Sequence, residues 1–78
     1  MEYKTMKDLQ EGETAIVLEL LSTGDIRRRL QDMGLISGTI IECLHKSPAG
    51  DPVAYLIRGA VIALRSEDAE RIRVENIS

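Results

Sequence analysis

The stretch RRRLQDMGLISG, from Arg27 to Gly38, decides how this chain folds. Before Gly34, apolar residues recur every three or four positions, which is the spacing of one face of a helix. The residues on this face are Ile26, Leu30 and Met33. Gly34 can adopt the left-handed conformation that ends a helix, and Leu35 can then fold back onto the last turn. Gly38 gives a second pivot before an apolar run, so the segment predicts a helix, a reversal and the start of a strand.

Length and composition predict one small globular domain over residues 1–78. The chain has 78 residues, of which 44% are hydrophobic and 29% charged, and it contains no Trp or Phe. A chain of this size buries roughly 60% of its unfolded surface, enough for one aliphatic core. The deep, dry cleft that most enzymes use needs more chain. No nucleophile–base pair or carboxylate constellation is evident either, so we expect a protein that is not an enzyme.

The net charge and the cysteine content restrict the partners and the cellular compartment that we expect for this protein. The net charge of −3 argues against nucleic acid or an anionic membrane as the partner, because both are bound through excess Lys and Arg. The single cysteine, Cys43, cannot form an internal disulfide, which fits a reducing compartment. The polar N-terminus does not resemble a signal peptide, and no apolar run approaches the roughly 20 residues of a membrane span. We therefore expect a cytoplasmic protein that does not insert into the membrane.

The pattern of apolar runs and turn residues predicts a mainly β fold with short helices. Strands are expected at about 14–21, 39–46, 53–57, 60–64 and 72–74. One helix, about 25–33, lies between the first two strands, with Asp25 as its N-cap. Ser66 can cap a short helical turn, and Asp51 is expected to bond the backbone of its own loop. Five short strands in such a chain suggest a small barrel whose closure hides the strand edges.

The last hairpin is apolar on both faces. Arg58-Gly59 reads as a two-residue turn, which places alternate residues on the interior side. The predicted interior residues are Val53, Tyr55, Ile57, Ala60, Ile62 and Leu64. The opposite face carries Ala54, Leu56, Val61 and Ala63. Either the helix or the N-terminal turn covers this second face, or it docks another protein or a second copy of the chain as a homodimer.

Two features suggest sites and have simpler explanations. Cys43 and His45 alternate on one predicted strand and could face one side, but two ligands do not make a metal site. We expect Cys43 in the core, His45 at the rim, and no metal or cofactor.

The second feature is the run of three arginines, Arg27, Arg28 and Arg29. On a helix these side chains point in three directions, and Asp25 and Asp32 are placed for local ion pairs. Arg28 points straight out and is a candidate interface residue.

Three blocks of the chain, RRRLQDMGLISG, SPAGDPVAYLIRG and IALRSEDAERIRV, resemble the FeoA family of ferrous iron transport proteins. The resemblance runs from about Leu9 to Val74. The matching positions are Arg29, Leu30, Met33, Gly34, Leu35, Gly38, Pro48, Gly50, Asp51, Pro52, Gly59, Leu64 and Arg65. It implies a five-stranded SH3-like barrel and a role beside FeoB, a membrane permease with a cytoplasmic G-protein domain. The same fold resembles the C-terminal domain of iron-dependent repressors of the diphtheria toxin type.

The resemblance leaves two functions open. The first is a non-catalytic accessory protein that docks on the cytoplasmic side of a FeoB-type permease and modulates it. The second is a metal-responsive regulatory module related to the repressor domain. The apolar Ile40, Leu56 and Val61 stand where relatives often carry polar residues, which leaves open whether this chain has an additional contact surface. The candidate partner-binding residues are Arg28, Ile40, Ala54, Leu56, Val61 and Ala63.

Overall fold

The computed structural model describes residues 4–77 and contains six strands in that range. They are β1 (Lys4–Thr5), β2 (Thr14–Leu20), β3 (Ile40–Lys46), β4 (Val53–Ile57), β5 (Ala60–Leu64) and β6 (Ile72–Asn76). A 3-10 turn spans Met6–Asp8, and the helices are α1 (Gly24–Asp32) and α2 (Ser66–Ala69). The five predicted strands and the predicted helix are confirmed, and β1 is an additional short strand. Neither helix of residues 4–77 is long and apolar enough to cross a membrane.

The strands form one antiparallel sheet in the order β1-β6-β2-β3-β4-β5. A shift in register between Val17 and Glu19 bends β2, which pairs with β6 on one side and β3 on the other. The bend curls the sheet around a single core. Within residues 4–77 no strand pairs with the outer edge of β5. Closure of the barrel therefore does not hide this edge, contrary to the expectation from sequence.

The core is aliphatic, as the composition predicts. Its fully buried members include Leu30, Leu35, Ile41, Ile57 and Ile72. From the interior side of the last hairpin, the residues Val53, Tyr55, Ile57 and Leu64 are buried, and Ile62 packs against them. Ala60 is exposed and corrects the prediction, because it adjoins the turn at the hairpin tip, beyond the reach of the core.

The reversal after α1 is confirmed in detail. Gly34 has a φ of +100°, and its N–H donates to the carbonyl of Gln31 at 2.9 Å. The N–H of Leu35 donates to the carbonyl of Leu30 at 3.1 Å. This pair of bonds is the Schellman motif, and it places both leucines in the core. Gly38, with a φ of +94°, then donates to the carbonyl of Val17 at 2.7 Å and ties the reversal to β2.

The start of α1 differs from the prediction. Thr23 precedes the helix and Asp25 lies within its first turn, so Asp25 is not the N-cap. Leu30 is buried, but Ile26, on the same predicted face, is 40% exposed. Arg27 donates from Nη1 to the carbonyl of Leu20 at 2.8 Å.

The ion pairs expected along α1 are not formed. Among residues 4–77, the ion pairs within 4.0 Å include neither Arg29 with Asp25 nor Arg28 with Asp32. Exposed pairs of this kind gain little over hydration of the separate charges. Arg28 and Arg29 are both exposed to solvent.

The loop between β3 and β4 braces α2. Asp51 Oδ1 accepts a hydrogen bond from the N–H of Ser66 at 2.9 Å, across 15 positions of sequence. Asp51 therefore caps α2 and does not bond its own loop as predicted. Ser66 is the first residue of α2, so its side chain is not the cap that the sequence suggested. The loop itself is closed by a hydrogen bond from the Ser47 hydroxyl to the carbonyl of Pro52.

Replacement of Gly34 by Val should destabilise the protein for two reasons. The left-handed conformation costs an L-residue roughly 1–2 kcal/mol, and a Cβ at this position would lie 2.5 Å from Cδ of Arg58. We expect a fall in Tm of about 4–8 °C per kcal/mol lost. Thermal unfolding followed by circular dichroism measures it. Ser37→Val, in the same loop and without a positive φ, is the control; equal Tm values for both variants would contradict this account.

Tyr55 should make stability fall at alkaline pH. Burial raises the pKa of its phenol well above the ordinary value, and the hydroxyl donates to the carbonyl of Met6 at 3.1 Å. The stabilisation of the folded state by the protonated Tyr55 phenol is therefore complete below the unfolded pKa of about 10, and it is lost as the pH rises above that value. At pH 7, Tyr55→Phe should cost about 1 kcal/mol. Urea unfolding should show that this deficit shrinks at high pH; a deficit constant with pH would refute the assignment.

Candidate protein-docking surface

The candidate surface is the side of β3, β4 and β5 that faces away from the core, here called the outer hairpin face. It comprises Ile40, Ala54, Leu56, Val61 and Ala63. Strand pairing places Leu56 opposite Val61, and Ala54 opposite Ala63. Because side chains alternate along a strand, the intervening residues point into the barrel. The hairpin is therefore apolar on both sides, and only one side faces the core.

The outer hairpin face is largely uncovered. Val61 is 68% exposed and Ile40 is 57% exposed, whereas Ala54 and Leu56 are half-buried. Of the two explanations that the sequence left open, coverage by α1 or by the N-terminal turn does not apply to Val61 and Ile40. Apolar side chains grouped in this way on a surface are typical of an interaction site.

Two shallow depressions beside this face share Ile40 and Arg58. One has a volume of about 380 Å³ and runs along the loop 36–39. The other, of about 220 Å³, adjoins Leu56 and the hairpin turn. Ile36 is 44% exposed and extends the apolar surface. Neither Ile36 nor Arg58 was predicted as part of a site. An isoleucine between Gly34 and Gly38 is unusual in a turn, and it could have indicated an exposed apolar contact residue.

The six predicted partner-binding residues fall into three groups. Ile40, Leu56 and Val61 lie together on the outer hairpin face. Ala54 and Ala63 form the next cross-strand pair. Ala63 also lines a groove of about 410 Å³ between α1 and β5, called here the α1–β5 groove. Arg28 is exposed on α1 and lines none of these depressions.

A register shift separates Cys43 from His45. The pairing of β3 with β4 changes register between these two residues, so Cys43 is buried and His45 is exposed. Both positions agree with the core and rim predictions, while the possibility that the two side chains face one side is ruled out. His45 Nδ1 lies 3.3 Å from Glu11 Oε2, which also accepts the N–H of Lys46 at 2.7 Å. In residues 4–77 no three His, Cys, Asp or Glu side chains are grouped as metal ligands.

The fold is that of an SH3-like barrel. FeoA of Stenotrophomonas maltophilia, crystallised with zinc and described as a prokaryotic SH3 domain protein, is 26% identical and superposes with a TM-score of 0.82. The match covers 92% of this chain and 89% of that one. The FeoA protein of Chlorobium tepidum is 31% identical with a TM-score of 0.90, over 96% of this chain and 71% of its own.

Residues 4–76 match the family model described as FeoA domain, and the chain belongs to this family. A curated relative is the Fe(2+) transport protein A/Fe(2+) transporter FeoB fusion protein of Porphyromonas gingivalis. It is 36% identical over 73 residues, which are 94% of this chain. The chain spans only 9% of the length of that fusion protein.

Cys43 should be chemically inert in the folded protein. Burial raises the pKa of its thiol, so little of the reactive thiolate forms near neutral pH. We expect a disulfide reagent such as dithionitrobenzoate to react at least about tenfold more slowly with the folded protein than with the protein in urea. Equal rates in the two states would show that the thiol is accessible and would contradict its assignment to the core.

Proposed function

We propose that this protein is a non-catalytic accessory protein of ferrous iron uptake, which docks on the cytoplasmic part of a FeoB-type permease and modulates it. The observation that carries the proposal is the relative in which a region similar to this chain shares one polypeptide with FeoB. Membership of the FeoA domain family supports the same role.

A shared polypeptide favours a physical contact between its parts. Tethering gives two modules an effective concentration in the millimolar range for short flexible linkers, so even a weak contact is occupied. Separate chains must form the same contact at cellular concentration. The same module on a polypeptide of its own would need a dedicated docking surface, and the outer hairpin face is our candidate for it.

The size of this surface favours a reversible contact. The exposed apolar residues are few and lie on three neighbouring strands, whereas permanent complexes bury roughly 2,000 Å² or more. Modulation also requires that the protein bind one state of the permease more tightly than another. A small interface suits this requirement because it can form in one state and break in the other.

Replacement of Ile40 by Ser should weaken docking without unfolding the protein. Ile40 is exposed, so the free energy of unfolding should change by less than about 0.5 kcal/mol. Titration of the labelled protein with the soluble cytoplasmic domain of the permease, followed by amide NMR shifts, should show perturbation at Ile40, Leu56 and Val61. The variant should bind at least about fivefold more weakly, a loss of about 1 kcal/mol.

Leu21→Ser is the matched control, because Leu21 is 40% exposed, bonds the carbonyl of Arg71 through its N–H and lines neither depression beside the outer hairpin face. It should bind like the unmodified protein. If both variants bind with unchanged affinity, the outer hairpin face is not the docking surface. If the unmodified protein perturbs no amide at high permease concentration, the direct contact itself is refuted.

A further inference from the structure

The outer edge of β5 carries backbone groups without partners in the sheet. Among the described residues 4–77, β5 pairs only with β4, and Ile57 lies opposite Ala60 at the two-residue turn. In such a hairpin, alternate residues direct their N–H and C=O groups towards the neighbouring strand. Ala60 and Ile62 therefore bond β4, whereas the N–H and C=O groups of Val61 and Ala63 point away from it. Ala60, Val61 and Ala63 are exposed, which leaves the edge open to solvent.

The edge lacks the features by which proteins prevent strands from pairing. Natural edge strands are usually protected by lysine, proline, a bulge or a covering helix or loop, whereas Val61 on this edge is 68% exposed. β5 has the sequence AVIAL, without a charge or a proline, and its pairing with β4 has no register shift. A regular apolar edge of this kind is a template for an added strand.

A groove runs beside the edge. The α1–β5 groove is lined by Ile26 and Met33 on the helix and by Ala63 on the strand, with Arg29 and Arg65 at its rim. The groove adjoins the C-terminal end of β5, at Ala63 and Leu64. A strand edge flanked by a helix is the arrangement in which PDZ and PTB domains bind extended peptides. The exposure of Ile26, which leaves the predicted apolar face incomplete, is accounted for if a ligand covers it.

We propose that an extended segment of the permease's cytoplasmic part adds to β5 as a further strand of the sheet. Its backbone bonds the N–H and C=O groups of Val61 and Ala63, and its inward side chains enter the α1–β5 groove and cover Ile26. Its outward side chains continue the outer hairpin face. This inference rests on the proposed function and specifies how the partner is held.

Charge distinguishes such a partner from a second copy of this chain. Antiparallel pairing of two β5 strands about Ile62 would place Arg65 of one copy beside the turn of the other, which carries Arg58. Like charges so placed destabilise strand pairing. Among residues 4–77 the ion pairs within 4.0 Å include neither arginine. A segment with a carboxylate on each side of its apolar residues would form ion pairs with both arginines. Glu67 and Asp68 also line the groove and repel carboxylates, so they restrict where the carboxylates of the segment can lie.

Amide hydrogen exchange tests the inference directly. Exchange is followed by NMR for the protein alone and with the soluble cytoplasmic domain of the permease. We expect the amides of Val61 and Ala63 to exchange at least about tenfold more slowly in the complex. The amides of Ala60 and Ile62 already bond β4 and should change less. Docking through side chains alone would leave the amide of Ala63 unprotected.

The possible outcomes separate the two proposals. Binding with protection of Val61 and Ala63 supports both. Binding without that protection overturns the added strand and leaves the accessory function standing, whereas no binding overturns both. Protection that grows with the concentration of the protein alone would identify a second copy as the occupant and refute the permease segment.

A proline variant gives an independent check. Val61→Pro removes an N–H that faces away from β4, a position at which edge strands tolerate proline. It should weaken permease binding at least about tenfold. Val61→Thr keeps the N–H and the branched Cβ and should stay within about threefold. Amide spectra report whether each variant is folded; if Val61→Pro is not, Ile26→Ser in the groove wall takes its place. Folded variants that all bind normally would refute the added strand.

Discussion

The two hydrogen bonds that end α1 hold the helix against the barrel. The N–H groups of Gly34 and Leu35 bond the last turn, and this places Leu30 and Leu35 side by side in the core. The helix end then lies so close to the hairpin turn that only a glycine fits beneath the stem of Arg58. A chain of 78 residues without Phe or Trp has little apolar area to spare, so the position of α1 determines whether the core is complete.

The same helix determines which surfaces remain open. Leu30 and Leu64 are both buried, but within residues 4–77 no strand pairs with the outer edge of β5, and Ile26 is 40% exposed. A hairpin that is apolar on both faces is typical of a strand pair covered on both sides. Here the barrel covers one side alone. The described part of the chain therefore combines a packed interior with an exposed surface of backbone groups, aliphatic side chains and arginines, which is suited to recognition of another protein.

Local patterns predicted the strands, the hairpin turn and the helix end, because each depends on neighbours in the sequence. The two-residue turn is confirmed by positive φ values at Arg58 and Gly59. Features that depend on distant residues were not predictable. Asp51 caps α2 across 15 positions, and the register shift that turns His45 outward is set by pairing with β4. The open edge of β5 likewise depends on which strand lies next to it, and the periodicity of the sequence does not indicate the order of the strands.

An open strand edge can convert a conformational change in a partner into a change in affinity. A segment can pair with β5 only when it is extended, because the N–H and C=O groups of Val61 and Ala63 require a matching strand. A partner that folds the same segment into a helix or hides it in one of its states loses these bonds together. In the proposed complex, this all-or-none difference would supply the differential binding that modulation of the partner requires. In the proposed complex, the backbone hydrogen bonds require only that the segment be extended. The groove beside Ile26 adds selectivity for particular side chains.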